Sequence, residues 1–289
     1  EKEECLMKQK NNFQIQENFN EDLKILQACE LENFKLFKKI CDDNNLRYYM
    51  IGGTLIGVVR HNGFIPWDDD IDIGLPRPDY NKFLEIAPKY LPEYMEIVTK
   101  SSDPNFKCYF TRMINNKKKI YWDQGGYKAK IGVWMDIFPI DGLPDNRILR
   151  KLQVFKVLWW KMLYKFTQID YVMTNRERSK MEWLIIKFAQ ITHIGKILSA
   201  EKTLDKLDKQ LQKYDFDKVN YAWNFSGGHG LKEIMPKRLW DGKRTGLFEG
   251  LKVSIPENTE EHLSYIFGDY MTLPPENERV THSIQFVED

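Results

Sequence analysis

No stretch of about 18 consecutive apolar residues occurs in this 289-residue chain, so nothing in it is expected to span a membrane by itself. Charge of one sign is not in excess: 43 Lys plus Arg stand against 42 Asp plus Glu, a formal net charge of +1. That balance argues against nucleic acid as the main partner. Cysteine is scarce. Cys5, Cys29, Cys41 and Cys108 form no CxxC pair and have no histidines at zinc spacing, so they read as reduced and structural. Residues Glu1 to Lys10 are charged and lack the apolar core of a secretion signal, which points to a cytoplasmic protein. The sequon Asn224-Phe225-Ser226 then reads as chance. There is no internal repeat and no low-complexity tract. What remains is a chain long enough to bury a substantial core, in one large domain or two small ones.

The most informative segment is Ile51-Gly52-Gly53-Thr54-Leu55-Ile56-Gly57, followed by Pro66-Trp67-Asp68-Asp69-Asp70-Ile71-Asp72-Ile73. Tyr48 to Ile51 reads as a short strand, Gly52-Gly53 as a tight turn, and Thr54 to Arg60 as the start of a helix. Backbone N–H groups at such a turn face an anion, and glycine permits close approach. Gly52, Gly53 and Thr54 are therefore candidates for binding a phosphate, with Arg60 adding positive charge. The next element places four carboxylates within five residues of an otherwise apolar run. On a strand, Asp68, Asp70 and Asp72 project to one face and Asp69 and Ile71 to the other. Like charges gathered on one buried face repel and are hard to desolvate. A hard divalent cation with oxygen ligands, Mg²⁺ above all or Mn²⁺, relieves that repulsion. A Gly-Gly pair alone is an ordinary turn, and an acidic run alone is a solvated loop. Together, interleaved with Ile71 and Ile73, they favour a metal site.

Residues 53 to 73, Gly-Thr-Leu-Ile-Gly-Val-Val-Arg-His-Asn-Gly-Phe-Ile-Pro-Trp-Asp-Asp-Asp-Ile-Asp-Ile, resemble the signature of the LicD family of phosphotransferases. Weaker likenesses lie at Trp134-Met135-Asp136-Ile137-Phe138-Pro139-Ile140-Asp141, Phe248-Glu249-Gly250 and Tyr270 to Glu276. The resemblance implies a nucleotidyltransferase-like fold, with relatives among the fukutin-type ribitol-phosphate transferases. It implies a glycine turn, an Asp-x-Asp pair in Asp70 and Asp72, and a third carboxylate on a later strand, in Asp136. All three would hold the metal, with Asp136 also the general base; Asp68 and His229 could stand behind them, and Asp141 and His229 are the next candidate bases. The implied reaction is metal-dependent transfer of phosphocholine from CDP-choline to a hydroxyl of a cell-surface glycan such as a teichoic acid, capsule or lipopolysaccharide. A polyol-phosphate (ribitol or glycerol phosphate) transferase, a nucleotidyltransferase and a non-catalytic binding module are the alternatives. The implied acceptor is lipid-linked, at the inner face of the membrane. A choline group suits an aromatic cage, for which Trp67, Trp134, Trp223 and Trp240 are candidates.

The expected fold class is α+β: a mixed β-sheet flanked by helices, with a helical insertion. Residues 1–145 would form the catalytic core with an N-terminal helix, 146–215 the helical region, and 216–289 a loop-rich segment completing the catalytic domain. An amphipathic helix is expected over 21–43 and another from about Asp79 to Tyr90. Strands are expected at 94–99, 107–114, 118–122 and 131–138, with Asn115-Asn116 as a turn. In residues 150 to 166, Leu152, Phe155, Trp159, Met162 and Phe166 form one stripe with Arg150, Lys161 and Lys165 opposite. Packing on the sheet is the favoured reading of that stripe, and an interfacial helix with its Trp159-Trp160 pair the sharper one. Helix 181–198, apolar nearly all round, is expected to be buried. The Ser226-Gly227-Gly228-His229-Gly230 cluster reads as a surface loop, and a lone histidine there is more often incidental than functional. Arg279 and His282 carry no assigned role.

Overall fold

The computed structural model describes residues 2–103, 106, 108–124, 127–168, 179–242, 244–279 and 286–287; His282 lies outside them. Helix α1 (Lys2–Asp43) is longer than the periodic segment that announces it. Its stripe of Leu23, Leu26, Phe34, Phe37 and Ile40 is buried in the core. β1 (Tyr49–Met50), α2 (Gly52–His61), β2 (Asp72–Pro76) and α3 (Arg77–Ile86) follow. Pro78 lies inside the first turn of α3, where its missing N–H has no consequence, so that helix begins earlier than Asp79. β3 (Met95–Val98), β4 (Thr111–Gln124) and β5 (Tyr127–Leu143) complete the main sheet path, in the order β1-β2-β5-β4-β3. β2 and β5 run parallel, while the other neighbours on that path are antiparallel. The sheet is mixed and helices flank it.

Asn115-Asn116 is not a turn. β4 runs through it, and the register shifts between Asn115 and Lys119 as a bulge. The Asn115 side chain donates to Asn33 Oδ1 of α1 at 3.0 Å, a buried amide contact that replaces turn chemistry. Long β5 continues past β2 to pair with β6 (Tyr221–Trp223), which in turn pairs with β7 (Ile234–Pro236). The loop-rich C-terminal segment thereby contributes to the same sheet.

Between β5 and β6 come α4 (Arg147–Thr167), α5 (Lys180–Thr192), α6 (Ile194–Ile197) and α7 (Ala200–Leu211). Asn146 caps α4 by accepting from the N–H groups of Ile148 and Leu149. Val157 and Tyr164 of α4 pack with Leu204, Leu207 and Leu211 of α7, and with Trp223. This overturns two burial expectations. The inward face of α4 is the one carrying Gln153, Val157 and Tyr164; of the expected stripe Phe166 is buried and Met162 half-buried, whereas Leu152, Phe155 and Trp159 are exposed. Arg150 and Lys161 are turned toward Tyr221 and Phe225 and do not oppose the core. Helix α5 is not buried either: Leu184, Phe188 and Ile191 face outward. Among the described residues no helix is long and apolar enough to cross a membrane.

The hairpin of β8 (Arg244–Phe248) and β9 (Leu251–Ile255), followed by α8 (Thr259–Phe267), holds the loop after α2. Its turn residues Glu249 and Gly250 both have positive φ, 47° and 76°, as a tight two-residue hairpin turn requires. Glu249 then accepts from the Phe64 N–H at 3.1 Å, and its own N–H donates to the Asn62 carbonyl at 3.0 Å. The Phe-Glu-Gly motif therefore braces the segment leading into the aspartates.

Candidate active site

Ile51 is extended (φ −133°, ψ 175°), and the chain enters α2 through Gly52 at φ +58°, a conformation open to glycine. Two hydrogen bonds fasten this turn to the start of β2. The Ile51 N–H donates to the Asp72 carbonyl at 3.2 Å, and the Asp72 N–H donates to Thr54 Oγ1 at 2.9 Å. The buried Thr54 hydroxyl thus ties turn to strand. The carboxylates lie where glycine side chains are missing. A Cβ on Gly52 would sit 3.2 Å from an Asp72 carboxylate oxygen, and one on Gly53 would sit 2.8 Å from an Asp68 carboxylate oxygen. The helix has no side-chain cap, so its N-terminal amides and positive dipole end lie beside the acidic groups.

Regular strand pairing begins only at Asp72, yet burial alternates upstream of it. Asp69 and Ile71 are buried while Asp68, Asp70 and Asp72 are half-exposed, as the face assignment requires. In the parallel β2/β5 register Asp72 stands beside Asp136, whose N–H donates to the Ile71 carbonyl at 3.1 Å. Burial pushes the Asp72 carboxyl well up, and Asp70, Asp136, Asp68 and Glu233 push it further by like-charge repulsion. Asp136 is also pushed up by burial, but Arg112 opposes this. Arg112 lies opposite Asp136 on β4 and its Nε donates to Asp136 Oδ1 at 2.9 Å. The same guanidinium lies 4.4 Å from the centre of the Trp134 ring.

Arg60 is remote from the glycine turn, at the other end of α2, about 12 Å along a helix axis. Its Nη1 donates to the Tyr270 carbonyl at 2.8 Å and its Nε to His61 Nε2 at 3.0 Å. Burial and the like charge of Arg279 lower its pKa, while Asp68 opposes that shift. Arg279 Nε donates to the Pro274 carbonyl, and its guanidinium lies 4.9 Å from the Trp67 ring centre. Two guanidinium groups and one indole therefore gather near Asp68.

His229 is exposed and meets Phe267 edge-on, with ring centroids 4.7 Å apart. From its loop it is the neighbouring Glu233 whose charge reaches Asp72. Glu233 is buried, and burial pushes its carboxyl up to about 7. Asp141 does not stand free as a base, because Arg77 grips both its oxygens, at 2.6 and 2.7 Å. Trp223 and Trp240 are fully enclosed in the core and cannot form a cage; Trp134 is buried as well, beside Asp136, which leaves Trp67 as the half-exposed indole near the aspartates. Asn224 is buried as well, so the sequon there is not a surface acceptor.

Three participants escaped the sequence reading. Glu30 of α1 is 2% exposed, its Oε2 has no hydrogen-bond partner, and burial together with Asp70, Asp136, Asp69 and Asp72 pushes its carboxyl well up. A signal for it existed, since Leu23, Leu26, Glu30, Asn33 and Phe37 share the apolar stripe of α1. Arg112 and Glu233 had no local signal, because only the strand order and the returning loop bring them in. Among the described residues no three His, Cys, Asp or Glu side chains are already gathered into a metal-holding group.

Residues 45–258 match the LicD/FKTN/FKRP nucleotidyltransferase domain. The chain is similar to the lipopolysaccharide cholinephosphotransferase LicD of Haemophilus influenzae, with 28% identity over 256 residues, 86% of this chain and 91% of the relative. A shorter match, 49% over 47 residues, covers 16% of this chain and 15% of an uncharacterized protein of Rickettsia typhi. The human ribitol 5-phosphate transferase FKRP matches at 50% over 30 residues, 10% of this chain and 6% of the relative. A match across this much of the chain, over a mixed sheet that sets a glycine turn against clustered aspartates, means that the protein belongs to the LicD/FKTN/FKRP nucleotidyltransferase-domain family.

Proposed function

We propose that the protein transfers phosphocholine from CDP-choline to a hydroxyl of a surface glycan. The observation that carries this reading is the similarity, over 86% of the chain, to a lipopolysaccharide cholinephosphotransferase. In support, Trp67, the half-exposed indole near the aspartates, already holds a cation, Arg279, against its face, which the donor's cation would displace. Such faces suit a quaternary ammonium group, which has no hydrogen to donate.

Asp70, Asp72 and Asp136 would hold a divalent cation such as Mg²⁺ or Mn²⁺. The donor set is all oxygen, as such ions require. Glu30, whose Oε2 has no hydrogen-bond partner among the described residues, is pushed well up by burial and by Asp70, Asp136, Asp69 and Asp72, so the carboxylates crowd one another more than Arg112 alone relieves. When bound, the ion would neutralise donor phosphate oxygens and relieve the repulsion among the carboxylates. The chain's own groups would do the rest. The backbone amides at Gly52 and Gly53 would orient the donor phosphate at the positive end of α2. Arg60 and Arg279 would receive further phosphate charge. Asp136 would take the proton of the acceptor hydroxyl as that oxygen bonds to the choline-bearing phosphorus. The pyrophosphate P–O bond then breaks and CMP leaves with the electron pair.

The test is incubation of the protein with Mg²⁺, acceptor glycan and a panel of CDP-alcohols, reading CMP release. CMP from CDP-choline, with phosphocholine on the acceptor, is expected. The FKRP match favours a second reading, polyol-phosphate transfer. Release from CDP-ribitol or CDP-glycerol but not CDP-choline would establish that reading instead. A nucleotidyltransferase would leave the nucleoside monophosphate on the acceptor, and a non-catalytic module would release nothing.

A further inference from the structure

Helix α4 carries two chemistries on one surface. Ile148, Leu152, Phe155 and Trp159 project outward with exposures of 70, 51, 64 and 47%. Phe155 and Trp159 stack on each other, ring centroids 6.4 Å apart, and so form one continuous aromatic surface. The opposite face, through Val157 and Tyr164, is the one buried on α7, so the outward stripe is not needed for folding. The helix has six basic residues, Arg147, Arg150, Lys151, Lys156, Lys161 and Lys165, and no acidic one, in a chain whose net charge is only +1. Arg147, Lys151, Lys156 and Lys165 are exposed.

Helix α5 repeats the pattern of outward apolar groups with Leu184, Phe188 and Ile191. Short α6 lies against both helices and ends in the exposed Ile197. Water-facing apolar groups of this size on consecutive helices mark a contact surface. Its charge selects among the possible occupants. A second copy of the chain would set one all-basic helix against another, and like charges repel. An anionic bilayer surface offers the opposite charge for the lysines and an acyl boundary for the indole and phenyl rings.

We infer that the α4 face, extended by α5 and α6, docks the protein on the surface of an anionic membrane, lying in the interface without crossing it. This assignment does not depend on the reaction proposed above. It places the exposed aromatic residues at headgroup depth and Lys151 and Lys156 beside the phosphates.

The test uses the full chain and sedimentation with vesicles of phosphatidylcholine alone or with phosphatidylglycerol added. Binding to the anionic vesicles, weakened by salt, is expected. The pair Phe155→Ser with Trp159→Ser should weaken partition about ten-fold or more, and so should Lys151→Glu with Lys156→Glu. These are surface changes, so the melting temperature is expected to stay near that of the parent and serves as the folding control. No binding to anionic vesicles, or binding that neither pair alters, overturns the inference. A concentration-dependent dimer that the Phe155/Trp159 pair dissolves, seen by analytical ultracentrifugation without vesicle binding, would overturn it in favour of a second copy.

Discussion

Arg112 Nε donates to Asp136 Oδ1 at 2.9 Å across the β4/β5 register, so the third aspartate of the site already has a cationic partner before any substrate arrives. Asp72, beside Asp136 in the next register, sits among negative charges instead. The two carboxylates therefore differ in role, and substitutions at each should separate them.

Asp70→Asn and Asp72→Asn should each abolish turnover while leaving the fold intact. Removing a repelling charge from a half-buried cluster should raise the melting temperature of the metal-free protein slightly. Assay at saturating Mg²⁺ and a thermal melt in chelator check both halves. Normal activity in either variant would sink the metal assignment.

Asp136→Ala should lower the chemical step by about 10²–10⁴-fold with a smaller effect on donor binding, as removal of a base does. Arg112→Ala leaves Asp136 mostly buried with its charge uncompensated. It should destabilise the fold by about 3 kcal/mol, within the range for breaking a buried pair. Denaturant unfolding measures it. An Arg112→Ala variant as stable as the parent would show that the pair is not a structural element.

Glu30→Gln keeps the shape of a buried side chain but removes its charge. It should stabilise the metal-free protein and reduce the melting-temperature gain produced by Mg²⁺ or Mn²⁺. Parent-like melting curves with and without metal would show that Glu30 does not feel the aspartates.

His262 provides a test remote from the catalytic carboxylates. It is fully buried, with Nδ1 2.8 Å from the Leu239 carbonyl, Nε2 without a partner and the Trp240 ring edge-on to it. Nδ1 donates to that carbonyl, and burial, which the Leu239 carbonyl opposes, depresses the pKa to about 4 from an ordinary 6.5, so the ring is neutral at neutral pH. The unfolded chain binds the proton first. Stability is therefore fully present above pH 6.5 and is lost as pH falls toward 4, by roughly 3 kcal/mol. Denaturant melts of His262→Gln should show a flatter profile across that window, and an identical slope would remove His262 as the cause.

The sequence alone determined the local chemistry: the Gly52-Gly53 turn, the alternating Asp68, Asp70 and Asp72, and the apolar stripe of α1. Each is written in neighbouring residues by a strand or helix period. Tertiary structure decided what crosses long separations. It set Arg112 against Asp136 through antiparallel register, brought Glu233 toward Asp72 through the returning C-terminal segment, and aimed Glu30 from α1 at the same carboxylates. It also decided which side of α4 is inside. Periodicity shows that a helix has an apolar face, but α4 has enough apolar residues for two, and only the position of α7 selects Val157 and Tyr164 for burial and leaves Phe155 and Trp159 in water.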